Sequence, residues 1–280
     1  MLEITELPFT KMHGLGNDFV VLDARNNEIP IDAKLAKAIA DRRLGIGCDQ
    51  ILIMQPATDP DADVFMRILN ADGSEVDACG NGTRCVAALV MEQMNTEKVM
   101  VQTNAGVMET TAGENGTVAV DMGLPNLDWQ DIPLAEKADT LKLDLSTGDL
   151  SEPVAVNMGN PHAVFFVENA ADVALEELGP EIENHAMFPE RTNVEIAQML
   201  PDGNIRLRVW ERGAGITRAC GTGACATLVA ANRRELSDRY ANIILDGGAL
   251  GIEWREDNHV IMVGPVATSY SGMLDESLLG

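Results

Sequence analysis

The sequence predicts an α+β fold: two pseudo-symmetric lobes, each a curved, mostly antiparallel sheet wrapped around a central helix. Three observations carry that prediction. First, Ala78-Cys79-Gly80-Asn81-Gly82 recurs as Ala219-Cys220-Gly221-Thr222-Gly223, so the frame A-C-G-x-G appears twice. The two cysteines stand 141 positions apart in a chain of 280 residues, and a motif repeated at half-length signals two related units. Second, both copies run on into apolar segments, Val86-Ala87-Ala88-Leu89-Val90-Met91 and Ala226-Thr227-Leu228-Val229-Ala230-Ala231. A helix apolar on nearly every face is an enclosed one. Third, the rest of each half reads as short strands between Gly, Asn and Asp turns, which can wrap such a helix.

In chain order, Phe9–His13 and Phe19–Asp23 read as a strand pair around Gly14-Leu15-Gly16-Asn17-Asp18. Asp32 is a helix N-cap, and the helix is expected to run through Leu35, Ile39 and Ala40 to Arg43 and stop at Gly45. Strands follow at Gln50–Met54 and Val64–Leu69, then a hairpin turn at Asn70–Ser74 with Asp-Gly chemistry. The first cysteine helix spans about 82–94. Strands near 99–103, 107–111 and 118–122 are separated by Asn104-Ala105-Gly106 and Glu114-Asn115-Gly116. The acidic, Pro-containing stretch from Gly123 to Asp149 is expected to cross between lobes. The second half has strands at 154–158 and 163–167, helical pieces near 171–178 and 180–186, and strands at 193–199 and 205–210. Ile205-Arg206-Leu207-Arg208-Val209-Trp210 alternates, so one face is buried. The second cysteine helix spans about 222–235, and three strands near 240–246, 249–255 and 259–264 close the chain.

With 46% hydrophobic residues the chain can bury a sizeable core, and its length suits two domains. A net charge of −24 works against nucleic acid and anionic membranes, which need Lys and Arg. No apolar run approaches the roughly 18 residues that span a bilayer. The acidic start, Met1-Leu2-Glu3-Ile4-Thr5-Glu6, is no secretory signal, so a cytoplasmic protein is expected. There are five cysteines, an odd number without zinc spacing, so neither a disulfide framework nor a metal is expected. Cys85 and Cys225 point away from the repeated cysteines and read as core; Cys48, in a Gly-rich turn, reads as structural.

The chemistry sits with Cys79 and Cys220. A thiol reacts as thiolate, and its ordinary pKa is about 8.5. Free N–H groups and the dipole at a helix start lower that value, so both thiols are expected to be activated. The glycines let backbone amides approach a carboxylate. Two such segments facing one site suit stereoinversion next to a carboxylate: one thiolate takes the α-proton and the opposing thiol returns one to the other face. No dinucleotide fingerprint is complete and no Lys has a pyridoxal phosphate setting, so no cofactor is expected. Arg218, two residues before Cys220, is read as a further group favouring thiolate.

Seven motifs in order complete the pattern: Lys11-Met12-His13-Gly14-Leu15-Gly16-Asn17-Asp18-Phe19, Gly47-Cys48-Asp49-Gln50, Asn70-Ala71-Asp72-Gly73-Ser74-Glu75, the first cysteine motif, Met158-Gly159-Asn160-Pro161-His162, Arg191-Thr192-Asn193, and Glu211-Arg212-Gly213-Ala214-Gly215 ahead of the second cysteine motif. On these the chain resembles the diaminopimelate epimerases over essentially its whole length. The resemblance implies an active site in the cleft between the lobes, and lobes of 1–123 with 269–280 and of 124–268. It implies Cys79 and Cys220 as acid–base thiols with His162 and Glu211 beside them. Substrate contacts are implied for Asn17, Gln50, Asn70, Gly80, Asn81, Asn160, Asn193, Glu211, Arg212, Gly221 and Thr222. Arg212 suits a carboxylate and Glu211 an ammonium. A homodimer acting on the small molecule diaminopimelate, without metal or cofactor, is the implied assembly. Three other readings stay open. One is a proline or hydroxyproline racemase-like enzyme, which has no need of Arg212, Asn70 and Asn193. The others are a thiol redox protein and a ligand-binding protein.

Overall fold

The structure, a computed structural model, describes residues 7–275 and 278. The reading of residues 1–6 as no signal, and residues 276, 277, 279 and 280 of the returning C-terminal segment, lie outside the described residues. The fold is α+β. By its internal contacts the chain divides into two compact units, Met1–Val120 with Gly264–Gly280, and Asp121–Val263.

In the first unit, Leu7–Gly14 pairs antiparallel with Asn17–Asp23, which runs parallel to Gln50–Gln55. That strand pairs antiparallel with Val64–Asn70, itself parallel to Lys98–Thr103. Gly106–Ala112 and Thr117–Asp121 then follow antiparallel. The second unit repeats the succession. Val154–Asn157 pairs antiparallel with Pro161–Phe166, which is parallel to Asn193–Met199. Ile205–Glu211 is antiparallel to that strand and parallel to Tyr240–Leu245. Gly248–Trp254 and Val260–Pro265 complete it, both antiparallel. Each unit also folds a short hairpin strand onto its fourth strand, Glu75–Val76 and Gly215–Thr217, just before its repeated cysteine.

The unit helices are α1 (Ala33–Ala40), α2 (Gly80–Met94), α3 (Leu175–Glu183) and α4 (Gly221–Arg233). α2 touches Leu7–Gly14 and also Gly106–Ala112, which lie far apart in sheet order. α4 likewise touches both Val154–Asn157 and Gly248–Trp254. A straight rod reaches such separated strands only if the sheet curves around it. Burial is continuous from Asn81 to Ala87 and from Gly223 to Ala231, as enclosure demands. α1 and α3 pack elsewhere, α1 in a core with Ile51, Ile53 and Leu69, α3 in one with Phe165, Val194 and Ile196.

Several expectations need correction. α1 starts at Asp32, whose carboxylate accepts the N–H of Leu35 at 2.8 Å, but it stops at Ala40 and not Arg43. Asp41 ends it by drawing the N–H groups of Arg43 and Leu44 onto its own carboxylate. The two helical pieces expected on either side of Pro180 are one helix, α3, after a short 3-10 turn at Ala170–Asp172. Pro180 forfeits only one helix bond, and Gly179 before it has no Cβ to meet the ring. The stretch 123–149 is more than a crossing: Ile132, Leu134, Leu143 and Leu145 are buried in the second unit's core. A further strand, Ala267–Leu274, follows the three expected at the end and pairs antiparallel with Leu7–Gly14. Most of its residues are exposed, so no apolar alternation marks it.

Candidate active site

Equivalent ends of the two sheets carry the predicted residues. In the first unit Asn17 and Gln50 open their strands and Asn70 closes its own. Gln50 donates its amide to Asn70 Oδ1 at 3.0 Å. In the second unit Pro161-His162 and Asn193 open the matching strands and Glu211 closes its own.

Cys79 is the N-cap of α2, and the N–H of Gly82 donates to its Sγ at 3.4 Å. The thiol points to Asn17 Oδ1 at 3.9 Å, and Asn81 Nδ2 donates to the same oxygen at 3.3 Å. The first N–H groups of a helix, here those of Gly80 and Asn81, lack acceptors inside it. Asn17 is oriented from behind: its Nδ2 donates to Asp49 Oδ2 at 3.2 Å, and Arg42 holds Asp49 Oδ1 at 2.7 Å. Arg42 also grips Asp18, which pairs with Lys11 at 2.5 Å. Burial works against the Asp18 charge, but Arg42, Lys11 and Asp49 outweigh it and hold the carboxyl well below its ordinary range.

Cys220 caps α4 in the same way, with the N–H of Gly223 at 3.4 Å and the Thr222 hydroxyl at 3.5 Å. Its further surroundings differ. Glu211 accepts from the Thr217 hydroxyl and shares a hydrogen bond with Cys220. His162 is fully buried; its Nδ1 meets Glu195 Oε1 at 2.7 Å and its Nε2 meets Asn160 Oδ1 at 2.9 Å. Asn193 Oδ1 accepts the backbone N–H of Arg212 at 2.9 Å, and its amide donates to Pro161 O at 2.9 Å. Glu183, the last residue of α3, accepts from Trp210 Nε1 at 2.7 Å and from the N–H of Gly213 at 3.0 Å. The pair Glu211-Arg212 is thus pinned on both sides.

The lowered pKa expected from a helix start fails at Cys220. Burial, and then the charges of Glu211 and Glu195, push this thiol well above its ordinary value. Burial also raises Glu211 and Glu195 themselves. Arg218 is exposed, and the charges acting on Cys220 are these carboxylates. Cys85 is pushed up to about 12 and Cys48 to about 11, burial being the main cause for each, as suits core thiols. Sequence reasoning passed over Glu195, Thr217 and Glu183. Glu195 left a signal: it stands two residues after Asn193 on one strand, hence on the same face.

A sequence model of the diaminopimelate epimerase family matches residues 9–127 and 154–269. The chain belongs to the diaminopimelate epimerase family. Among relatives of that name, the one from Rhodospirillum centenum is 57% identical over 271 residues, covering 97% of this chain and 93% of that one. The one from Acidiphilium cryptum is 53% identical over 272 residues, covering 97% and 98%. Two solved structures share the fold. One is a hydroxyproline epimerase from Agrobacterium vitis with bound trans-4-hydroxy-L-proline. It has a TM-score of 0.69 at 19% identity, covering 98% of this chain and 94% of that one. The other is a phenazine biosynthesis protein of the PhzF family from Bacillus anthracis. It has a TM-score of 0.68 at 14% identity, covering 96% and 99%. Residues 128–153, which the diaminopimelate epimerase model leaves unmatched, include the buried Ile132 and Leu143. Among the described residues no helix is long and apolar enough to cross a membrane.

Proposed function

We propose that this chain interconverts L,L- and meso-diaminopimelate by inverting one α-carbon, a step toward lysine and peptidoglycan precursors. It acts as a cofactor-independent amino acid epimerase. What carries the reading is the repeated cysteine: in a chain of this family, each copy caps the enclosed helix of its own unit.

One thiolate takes the α-proton: a C–H bond breaks, an S–H bond forms, and the electron pair passes into the carbon and its carboxylate. The other thiol then gives its proton to the opposite face, restoring a C–H bond of inverted configuration. The helix-start N–H groups of Gly80, Asn81, Gly221 and Thr222 are suited to receive the carboxylate as its charge grows. Glu211 takes an ammonium and, with His162, sets the protonation of the thiols. Arg212 takes the carboxylate at the far end. Asn17, Gln50, Asn70, Asn160 and Asn193 orient the substrate without adding charge. The enzyme works in the cytoplasm as a homodimer.

The test is incubation of the reduced protein with L,L-diaminopimelate in D2O, followed by mass spectrometry and chiral separation. Deuterium is expected at the α-carbon together with meso product, and Cys79→Ala and Cys220→Ala are each expected to abolish epimerisation. Absence of α-deuterium with the unaltered protein, or epimerisation surviving in both variants, overturns the reading.

A further inference from the structure

The two thiols occupy equivalent places, and their surroundings are not equivalent. Gly82 and Gly223 are each the third residue of their helix, and each donates its N–H to the capping sulfur. Beneath each glycine lies the third residue of the unit's third strand. In the first unit this is Leu52, whose Cδ2 would stand 3.1 Å from a Cβ on Gly82. In the second it is Glu195, whose Oε1 would stand 2.8 Å from a Cβ on Gly223. The same point on Gly223 is 3.3 Å from Cys220 Sγ, so carboxylate oxygen and sulfur are at most about 6 Å apart. Glu195 is fully buried, and its Oε2 has no hydrogen-bond partner among the described residues. The fourth strands differ in the same sense: Asn70 closes one and Glu211 the other. At these matched places Cys220 has two carboxyls and Cys79 has a leucine and an amide.

We propose that Glu195 is a positioning residue that keeps Cys220 in its proton-bearing form while the site is empty, and so makes the two thiols unequal before substrate arrives. Its links to the His162 ring and to the backbone N–H of Ala163 fix the carboxyl under the first turn of α4, where its charge opposes formation of a thiolate. The groups facing Cys220 from the second unit's elements are Glu195 and Glu211, with Thr222 and the N–H of Gly223 on its own helix; His162 meets Glu195. Burial is the first reason the thiol is pushed up; the charge of Glu211 and then that of Glu195, at most about 6 Å from the sulfur, act in the same direction.

The inference rests on Cys220 being an acid–base thiol, and its test does not read turnover. Thiolate absorbance near 240 nm is followed against pH for the full-length protein and for its Cys220→Ala derivative. The difference reports Cys220 alone. The same pair of curves is recorded in Glu195→Gln, which preserves the bond to His162, and in Glu195→Leu, which copies the first unit. The Cys220 midpoint is expected to fall in Glu195→Gln, and to fall also in Glu195→Leu. A residue that merely supports the fold would lower thermal stability and leave that midpoint in place. An unmoved or raised midpoint in folded Glu195→Gln overturns the proposal. α-Deuterium incorporation, measured on the unaltered protein in parallel, separates that outcome from failure of the epimerase reading.

Discussion

Replacing Glu183 by Gln keeps the side chain's shape and removes its charge. The carboxylate accepts from Trp210 Nε1 at 2.7 Å on one oxygen, and from Gly213 N at 3.0 Å and Arg191 at 3.1 Å on the other. A Gln offers one carbonyl oxygen, so its amide must face one of these donors. If the oxygen keeps Gly213 and Arg191, the amide meets the indole N–H, and a half-buried donor loses its partner at about 1–3 kcal/mol. Losing the charge weakens the bond to Gly213 by about 1 kcal/mol more. The Arg191 side chain is 52% exposed, so its pair with Glu183 adds little. The total is about 2–4 kcal/mol, or about 3–7 °C in Tm for a chain of 280 residues. Glu211 and Arg212 lie between Trp210 and Gly213, so the damage reaches the proposed substrate clamp first. Steady-state assays of diaminopimelate epimerisation are expected to show KM raised about tenfold, equivalent to about 1.4 kcal/mol of binding, with kcat lowered less than threefold. Trp210 emission should shift with it. An unchanged KM and unchanged emission would refute the reasoning; a fall in Tm alone would mean that Glu183 only braces α3.

Other outcomes follow from the same geometry. Thr217→Val removes a donor from Glu211, whose carboxyl burial already raises; it should rise further, and the acid limb of the kcat/KM profile should move to higher pH. Asp18→Asn should destabilise the protein at neutral pH. The folded Asp18 lies below its unfolded value of about 3.9, so its contribution is present above about pH 4 and lost as pH falls through the folded value. Denaturant titrations should therefore show the gap between the two proteins closing in acid. Gly179→Ala would place a Cβ 2.5 Å from Trp210 Cδ2, and calorimetry should register a loss of about 1–3 kcal/mol as the ring is displaced.

The parts of this fold that were legible in the sequence are those whose residues announce their own surroundings. Asp32 caps α1 as its side-chain chemistry requires, and the small apolar run after Cys220 is buried as its composition requires. What was illegible depends on partners distant in sequence. Ala267–Leu274 is a strand because Leu7–Gly14 lies beside it, with Phe9 packed edge-on against Tyr270 at 5.9 Å. Its own residues show no period-2 pattern. The end of α1 turned on Asp41, a residue equally at home in a helix and a turn. At the site, the repeated motif disclosed both thiols, while the ionisation of Cys220 depends first on its burial and then on Glu211 and Glu195, contributed by other strands. A rule for an isolated helix start predicts the opposite direction, because desolvation is invisible in the motif.

The closing strand of the first unit has a bearing on how the chain is made. Leu7 stands opposite Leu274, so that sheet joins the earliest described residues to nearly the last. A ribosome delivers the whole of Asp121–Val263 before it supplies this partner. Until then the emerging N-terminal sheet keeps Leu7–Gly14 as an unguarded border, open to pairing with another nascent chain. The later-made unit, continuous in sequence, has every strand it needs in hand and can settle first.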